Sequence, residues 1–159
     1  MTTSFVNPAG DPQVGNLATP LNSSGFTRAF INNLPAYREG LSPIRRGLEV
    51  GMAHGYLLFG PFAFTSQFRN SEFANLVGVI EASALLLILT ICLSIYATVT
   101  RAKPVATVTT PNPPETFNTR EGWSEFAGGF LVGGVGGAFA AYWLVTSGLF
   151  QVIPQALLN

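Results

Sequence analysis

The chain has 159 residues, of which only eight are Lys or Arg and eight are Asp or Glu, so 10 % are charged against 48 % hydrophobic, with no net charge. A typical soluble domain is roughly one quarter charged and needs polar residues on every outward helix face, which excludes an ordinary soluble globular fold. Zero net charge, with no basic run beyond Arg45-Arg46, excludes a nucleic-acid binder, and thirteen Phe exclude a disordered chain.

Residues 1–41 read as an irregular cytoplasmic arm, because Pro8, Pro12, Pro20 and Pro35 interrupt any long helix. Phe26, Phe30 and Leu34, at i, i+4 and i+8, predict one short helix there. Its apolar stripe is free to lie on a membrane surface, on a partner, or on its own chain. The arm has no apolar signal-peptide core, and its first Arg is Arg28, which argues against a transit peptide.

Three stretches without Asp, Glu, Lys or Arg follow, at 50–68, 82–100 and 126–159. They predict an all-α integral membrane protein with three transmembrane helices, a single membrane domain over 1–159. The first span is placed at 43–64, with Ser42 as N-cap, Pro43 as first helical residue and Pro61 weakening its last turn. The second, 76–99, carries one acid, Glu81, near its start. Glu81 reads as an interfacial carboxylate or a partner for Arg69. The third, 126–150, is rich in Gly and aromatics, with Trp123 and Trp143 at interfacial or packing positions. A polar loop, 101–122, joins the last two spans. Pro104, Pro111, Pro113 and Pro114 predict that its 103–115 stretch is extended. The segment 151–159 is a far-side tail.

With three spans, the arm and the Pro-rich loop share a side holding Arg28, Arg38, Arg45, Arg46, Arg101, Lys103 and Arg120. The other side holds Arg69 alone. Basic residues favour the cytoplasmic side, so the N-terminus is expected there and the C-terminus opposite.

Catalytic constellations are lacking, and the chain is not expected to be an enzyme. One His rules out a two-His haem site from this chain, and the lone Cys92 makes neither an intrachain disulfide nor a Cys-based metal cluster. A channel or transporter would need a polar path, for which the spans offer only His54, Glu81 and some Ser and Thr. His54 is therefore the residue to explain. A single imidazole in an apolar run either hydrogen-bonds a neighbouring helix or serves as the one axial ligand of a planar metal macrocycle, with Gly51 and Gly55 letting the ring approach the backbone. Glu49 stands one turn from Arg45 and Arg46, in position for an ion pair, and its carboxylate is also a hard oxygen donor suited to Mg²⁺. Five residues, about 140° of helix, separate it from His54, so the two would serve different rings. Small residues recur every fourth position at Gly47, Gly51 and Gly55, and at Gly129, Gly133, Gly137 and Ala141. Such ladders pack helices closely, here either the first span on the third, or this chain on another subunit or flat pigments.

The runs Asn33-Leu-Pro-Ala-Tyr-Arg38, Gly40-Leu-Ser-Pro43 and Arg46-Gly-Leu-Glu-Val-Gly-Met-Ala-His-Gly-Tyr56 closely resemble the L subunit family of photosystem I, also called reaction centre subunit XI. Gly10-Asp11-Pro12, Ala74-Asn75-Leu76 and Glu121-Gly122-Trp123 fit the same family, and the likeness covers essentially the whole chain. The resemblance implies a non-catalytic structural and light-harvesting subunit of the thylakoid membrane. It implies chlorophyll a and beta-carotene as cofactors, with Glu49 and His54 as ligands of chlorophyll magnesium. Its implied partners are the large core subunits, the L subunits of neighbouring complexes and membrane lipid. Some relatives have Asp where this chain has Asn70, beside a Ca²⁺, and loss of that carboxylate argues against a calcium site here. Trimer, tetramer and dimer all stay open, as does an assembly subunit of the same complex that ligates no pigment.

Overall fold

The computed structural model describes residues 5–10, 13–99 and 104–148. Asp11, Pro12, Arg101, Lys103, the end of the predicted third span and the 151–159 tail lie outside the described residues.

The arm is less irregular than its prolines predict. Asn7–Pro8 (β1) and Leu17–Ala18 (β2) pair antiparallel, with Asn7 opposite Ala18, so a two-stranded ladder departs from the expected all-α class. Strands of two residues leave no hydrophobic alternation to read. The predicted short helix is Gly25–Asn33 (α1), capped by the Ser24 side chain, which accepts from the Thr27 amide. Phe26 and Phe30 stack with ring centroids 6.3 Å apart, and α1 buries no residue.

Three long helices follow: Pro43–Thr65 (α2), Ala74–Val99 (α3) and Arg120–Thr146 (α4). Ser42 occupies the cap position of α2, but its side chain makes no cap hydrogen bond; Pro43 at the first position fixes the entry. Pro61 does not end α2, which runs on to Thr65, where the Thr65 hydroxyl donates to the Pro61 carbonyl. The third helix starts at Arg120, ahead of the uncharged run. The Thr119 side chain accepts from the Gly122 amide there, and Glu121 suits the positive end of the helix dipole. Residues 104–114 form no helix, and a single 3₁₀ turn, Glu115–Asn118, leads into α4. Both α3 and α4 are long and apolar enough to cross a membrane; α2, with Arg45, Arg46 and Glu49 in its first turns, falls short on apolarity.

The helices form one bundle in which α2 packs most extensively on α4, and α3 covers both. Gly47, Gly51 and Gly55 of α2 face the backbones of Phe126, Phe130 and Gly134, so α2 and α4 run parallel. Gly78 faces Ala63 while Gly134 faces Leu86, which sets α3 antiparallel to them. A methyl group at Gly47, Gly51 or Gly55 would overlap a carbonyl oxygen of α4, and one at Gly129, Gly133 or Gly137 would overlap the carbonyl of Ile44, Leu48 or Met52. The two ladders interlock, backbone against backbone, through contacts that are individually weak and collectively large. Beside this seam, Phe59, Ala63, Val79, Ala82, Ala138 and Ala141 make the apolar core.

Polar ties close one end of the bundle. Arg28 Nε donates to the Val108 carbonyl at 3.0 Å, Asn32 Nδ2 to the Thr109 carbonyl at 2.8 Å, and the Thr109 hydroxyl to the Asn22 carbonyl at 3.1 Å. The arm and the 104–114 loop are thus joined above the N-terminal ends of α2 and α4.

Candidate functional site

Residues 35–42 carry the chain from α1 into α2, and Arg46 holds them in place. Its guanidinium donates from Nη1 to the Pro35 carbonyl at 2.7 Å and from Nη2 to the Leu41 carbonyl at 3.3 Å. Arg46 is only 2 % exposed, and Nε has no partner among the described residues. Gly40, at φ +76°, supplies the left-handed turn between those two carbonyls. This clasp brings Arg38 over Glu49. Arg38 Nη2 donates to both carboxylate oxygens, 2.6 Å to Oε1 and 2.5 Å to Oε2.

Glu49 therefore pairs with Arg38, and not with Arg45 or Arg46 as the helical spacing predicts. Arg45 is exposed, and Arg46 is committed to backbone carbonyls. Helix periodicity finds neighbours on one helix; it carries no information about a residue returned by a turn. The pair's side chains are 37 % and 33 % exposed, a setting in which an ion pair contributes about 0–1 kcal/mol. Its effect is placement more than stability. On this flank of α2 a groove of about 550 Å³ opens, lined by Pro35, Glu49, Met52, Ala53, Tyr56 and Leu57 from the arm and α2, with Gly137 and Ala140 of α4.

His54 lies on the other flank. Its Nδ1 stands 2.8 Å from the Val50 carbonyl of its own helix, not of a neighbouring one. A carbonyl only accepts, so Nδ1 carries a proton, and in the neutral imidazole Nε2 then keeps its lone pair. Imidazoles that bind metals are commonly fixed in this way. The ring meets Phe130 edge-on, with centroids 5.4 Å apart. Beside it a groove of about 470 Å³ is lined by Val50, Leu89, Cys92, Leu93, Tyr96, Phe126 and Phe130. Among the described residues none lines both grooves. Gly51 and Gly55 do not open space for a flat ring, because the α4 backbone already fills it. Gly129, Gly133 and Gly137 are likewise covered by α2. The sequence reading missed two further features. One is an aromatic row, Tyr96, Phe117, Trp123, Phe126 and Phe130, with Trp123 Nε1 donating to the Phe117 carbonyl. The other is a second set of small residues, Gly128 and Gly136, with open space around them on the outer face of α4.

The remaining polar residues offer less chemistry. Arg69 donates to the Ser66 carbonyl, and among the described residues no ion pair joins it to Glu81. Ser83, Thr90 and Ser94 return their hydroxyls to the Val79, Leu86 and Thr90 carbonyls of α3, so they line no polar path. Asn70 is exposed in the 66–73 connection, and among the described residues no three His, Cys, Asp or Glu come together in a metal-binding group.

Residues 4–149 match the model of the family described as photosystem I reaction centre subunit XI. The chain belongs to this family. It is 60 % identical over 140 residues to the photosystem I reaction center subunit XI of a Picosynechococcus species, covering 88 % of this chain and 92 % of that protein. It is 55 % identical over 153 residues to that of Crocosphaera subtropica, covering 96 % and 98 %, and 52 % identical over 157 residues to that of Synechococcus elongatus, covering 98 % and 95 %. Membership of the subunit XI family, which the motifs around α2 imply, is thus established across α2, α3, α4 and both grooves. As a member the chain is a structural component of photosystem I, and its partners are other components of that complex.

Proposed function

We propose that this subunit spans the thylakoid membrane three times, holds chlorophyll a through Glu49 and His54, contacts carotenoid and lipid along its apolar faces, and joins neighbouring photosystem I complexes. Its 23-residue α2 reaches about 34 Å, enough for ~30 Å of hydrocarbon, and runs parallel to α4, in contact with it from Ile44 to Phe59. The hydrogen-bonded arm and loop, at the end where seven of the eight Lys and Arg belong by sequence, support a cytoplasmic N-terminus and a lumenal C-terminus.

The observation that carries the pigment reading is the His54 imidazole: its proton is fixed on Nδ1, and its Nε2 lone pair is left beside an apolar, aromatic-walled groove. That donor and those walls fit a planar magnesium macrocycle. Chlorophyll, when bound, supplies light absorption and excitation transfer. The chain's own part is axial ligation, orientation of the ring and exclusion of water. Glu49 supplies an oxygen donor with lone pairs beyond those Arg38 occupies. The outward Gly128 and Gly136 support close helix contact with a neighbouring complex.

A second reading, an assembly subunit without pigment ligation, draws on the Arg38–Glu49 pair, which already satisfies that carboxylate. Photosystem I purified from cells carrying His54→Leu separates the two. The pigment reading expects one chlorophyll fewer per complex and a changed red absorption with the subunit retained. Unchanged stoichiometry and spectrum would leave the assembly reading. Particle mass of a Gly136→Leu complex tests the joining role, with smaller assemblies expected.

A further inference from the structure

We propose that Arg38 is a positioning residue for the Glu49 site, coupling the extramembrane arm to the pigment held there. The inference rests on the reading of Glu49 as a magnesium ligand and adds a residue to it.

Glu49 lies six residues into α2 from Pro43, about 9 Å along the helix, on an apolar groove with its side chain 33 % exposed, where partial desolvation favours a compensating cation. Among the described residues neither cation on its own helix makes an ion pair or hydrogen bond with it: Arg45 is exposed, and Arg46, which attracts Glu49 only through space, gives its hydrogen bonds to the Pro35 and Leu41 carbonyls. Arg38 does so from outside α2. A single nitrogen, Nη2, takes one lone pair from each oxygen, which holds the carboxylate from the arm side and leaves its remaining lone pairs for a ligand in the groove. The arm also forms part of that groove, since Pro35, whose carbonyl Arg46 holds, lines it beside Glu49. One short segment, 35–42, thus supplies the compensating charge and a wall of the groove, and Arg46 of α2 clasps that segment in place. A guanidinium fixed this close to a pigment shifts its transition energy by simple Coulomb interaction. Where the arm sits therefore determines how that pigment absorbs.

Intact photosystem I complexes carrying Arg38→Gln, Arg38→Lys, Glu49→Leu and the double change Arg38→Gln/Glu49→Leu test this through chlorophyll stoichiometry and low-temperature absorption and circular dichroism. Glu49→Leu is expected to lose one chlorophyll, which identifies its band. Arg38→Gln should displace or remove that same band and leave the others in place. Arg38→Lys, which keeps the charge but not the rigid planar guanidinium that holds it in place, should fall between Arg38→Gln and the parent. The double change should match Glu49→Leu alone, as expected of residues acting through one another. If Glu49→Leu removes a band that Arg38→Gln leaves untouched, the inference is overturned and the ligand reading stands. If Glu49→Leu alters neither pigment count nor spectrum, the ligand reading fails and the inference with it. If the double change adds a second disturbance to that of Glu49→Leu, Arg38 supports only the arm, and the inference is overturned.

Discussion

Between α2 and α4 the contact is backbone against backbone, through glycines at every fourth position. Between the arm and the 104–114 loop it is side chain against backbone, through Arg28, Asn32 and Thr109. The first contact has no rotamers to adjust, so an added atom must move a helix. The second is made of separate hydrogen bonds, each worth about 1 kcal/mol, and loses them one at a time. The grooves beside Glu49 and His54 inherit their shape from both: α4 backs them through the seam, and the arm rims one of them through Arg46 and Pro35.

The seam is broken most severely by bulk. Gly133 faces the Leu48 carbonyl without room for a methyl group. Gly133→Leu should cost about 3 kcal/mol, the upper end for overpacking, and prevent the subunit from accumulating in photosystem I. Immunoblots of purified complexes read this directly; normal accumulation would mean the helices are not held at backbone distance. The hold of α2 on the arm is broken next most severely at Arg46. Arg46→Met fills much of the volume but leaves the Pro35 and Leu41 carbonyls without their donor, at about 1–3 kcal/mol. The expected outcome is a subunit still present in the complex whose 35–42 segment is cut by protease faster than in the parent. Equal cutting rates would show that other contacts hold the arm.

The same contrast marks what the sequence could disclose. Gaps in charge located all three long helices because apolar runs that long leave a helix as the main way to satisfy the backbone. The uncharged run marks a span from 126, while the helix that carries it begins at Arg120, inside the stretch 101–122 that reads as loop when charge alone is followed. Thr119, a capping residue just before that helix's acidic first turn, was the available signal. The period of the glycine ladders was visible in the sequence. That the ladders meet each other, and so leave no room for a ring at Gly51 and Gly55, depends on the parallel pairing of distant helices. Glu49 and His54 were singled out because charge and imidazole are costly in such runs. The partner of Glu49 was mistaken because Arg38 reaches it only after the Gly40 turn and the Arg46 clasp, neither of which has a periodic signature.

The finest test of the seam uses two adjacent glycines. Gly128 and Gly129 share a helix, a backbone conformation and a place in the sequence, and differ only in direction. A Cβ on Gly129 would overlap the Ile44 carbonyl, while one on Gly128 meets nothing within 4 Å among the described residues. In a helix interior Ala is favoured over Gly by roughly 1 kcal/mol when nothing else changes. Gly128→Ala should therefore leave the thermal stability of the subunit in its complex unchanged or slightly raised. Gly129→Ala gains the same propensity but must part α2 from α4, so its melting temperature should fall. Melting curves of the two complexes, followed by loss of the subunit from the particle, measure the difference. If both variants fell equally, Gly128 would already be packed as tightly by a neighbour as Gly129 is by α2, and the outer face of α4 would be a second seam and not a free one.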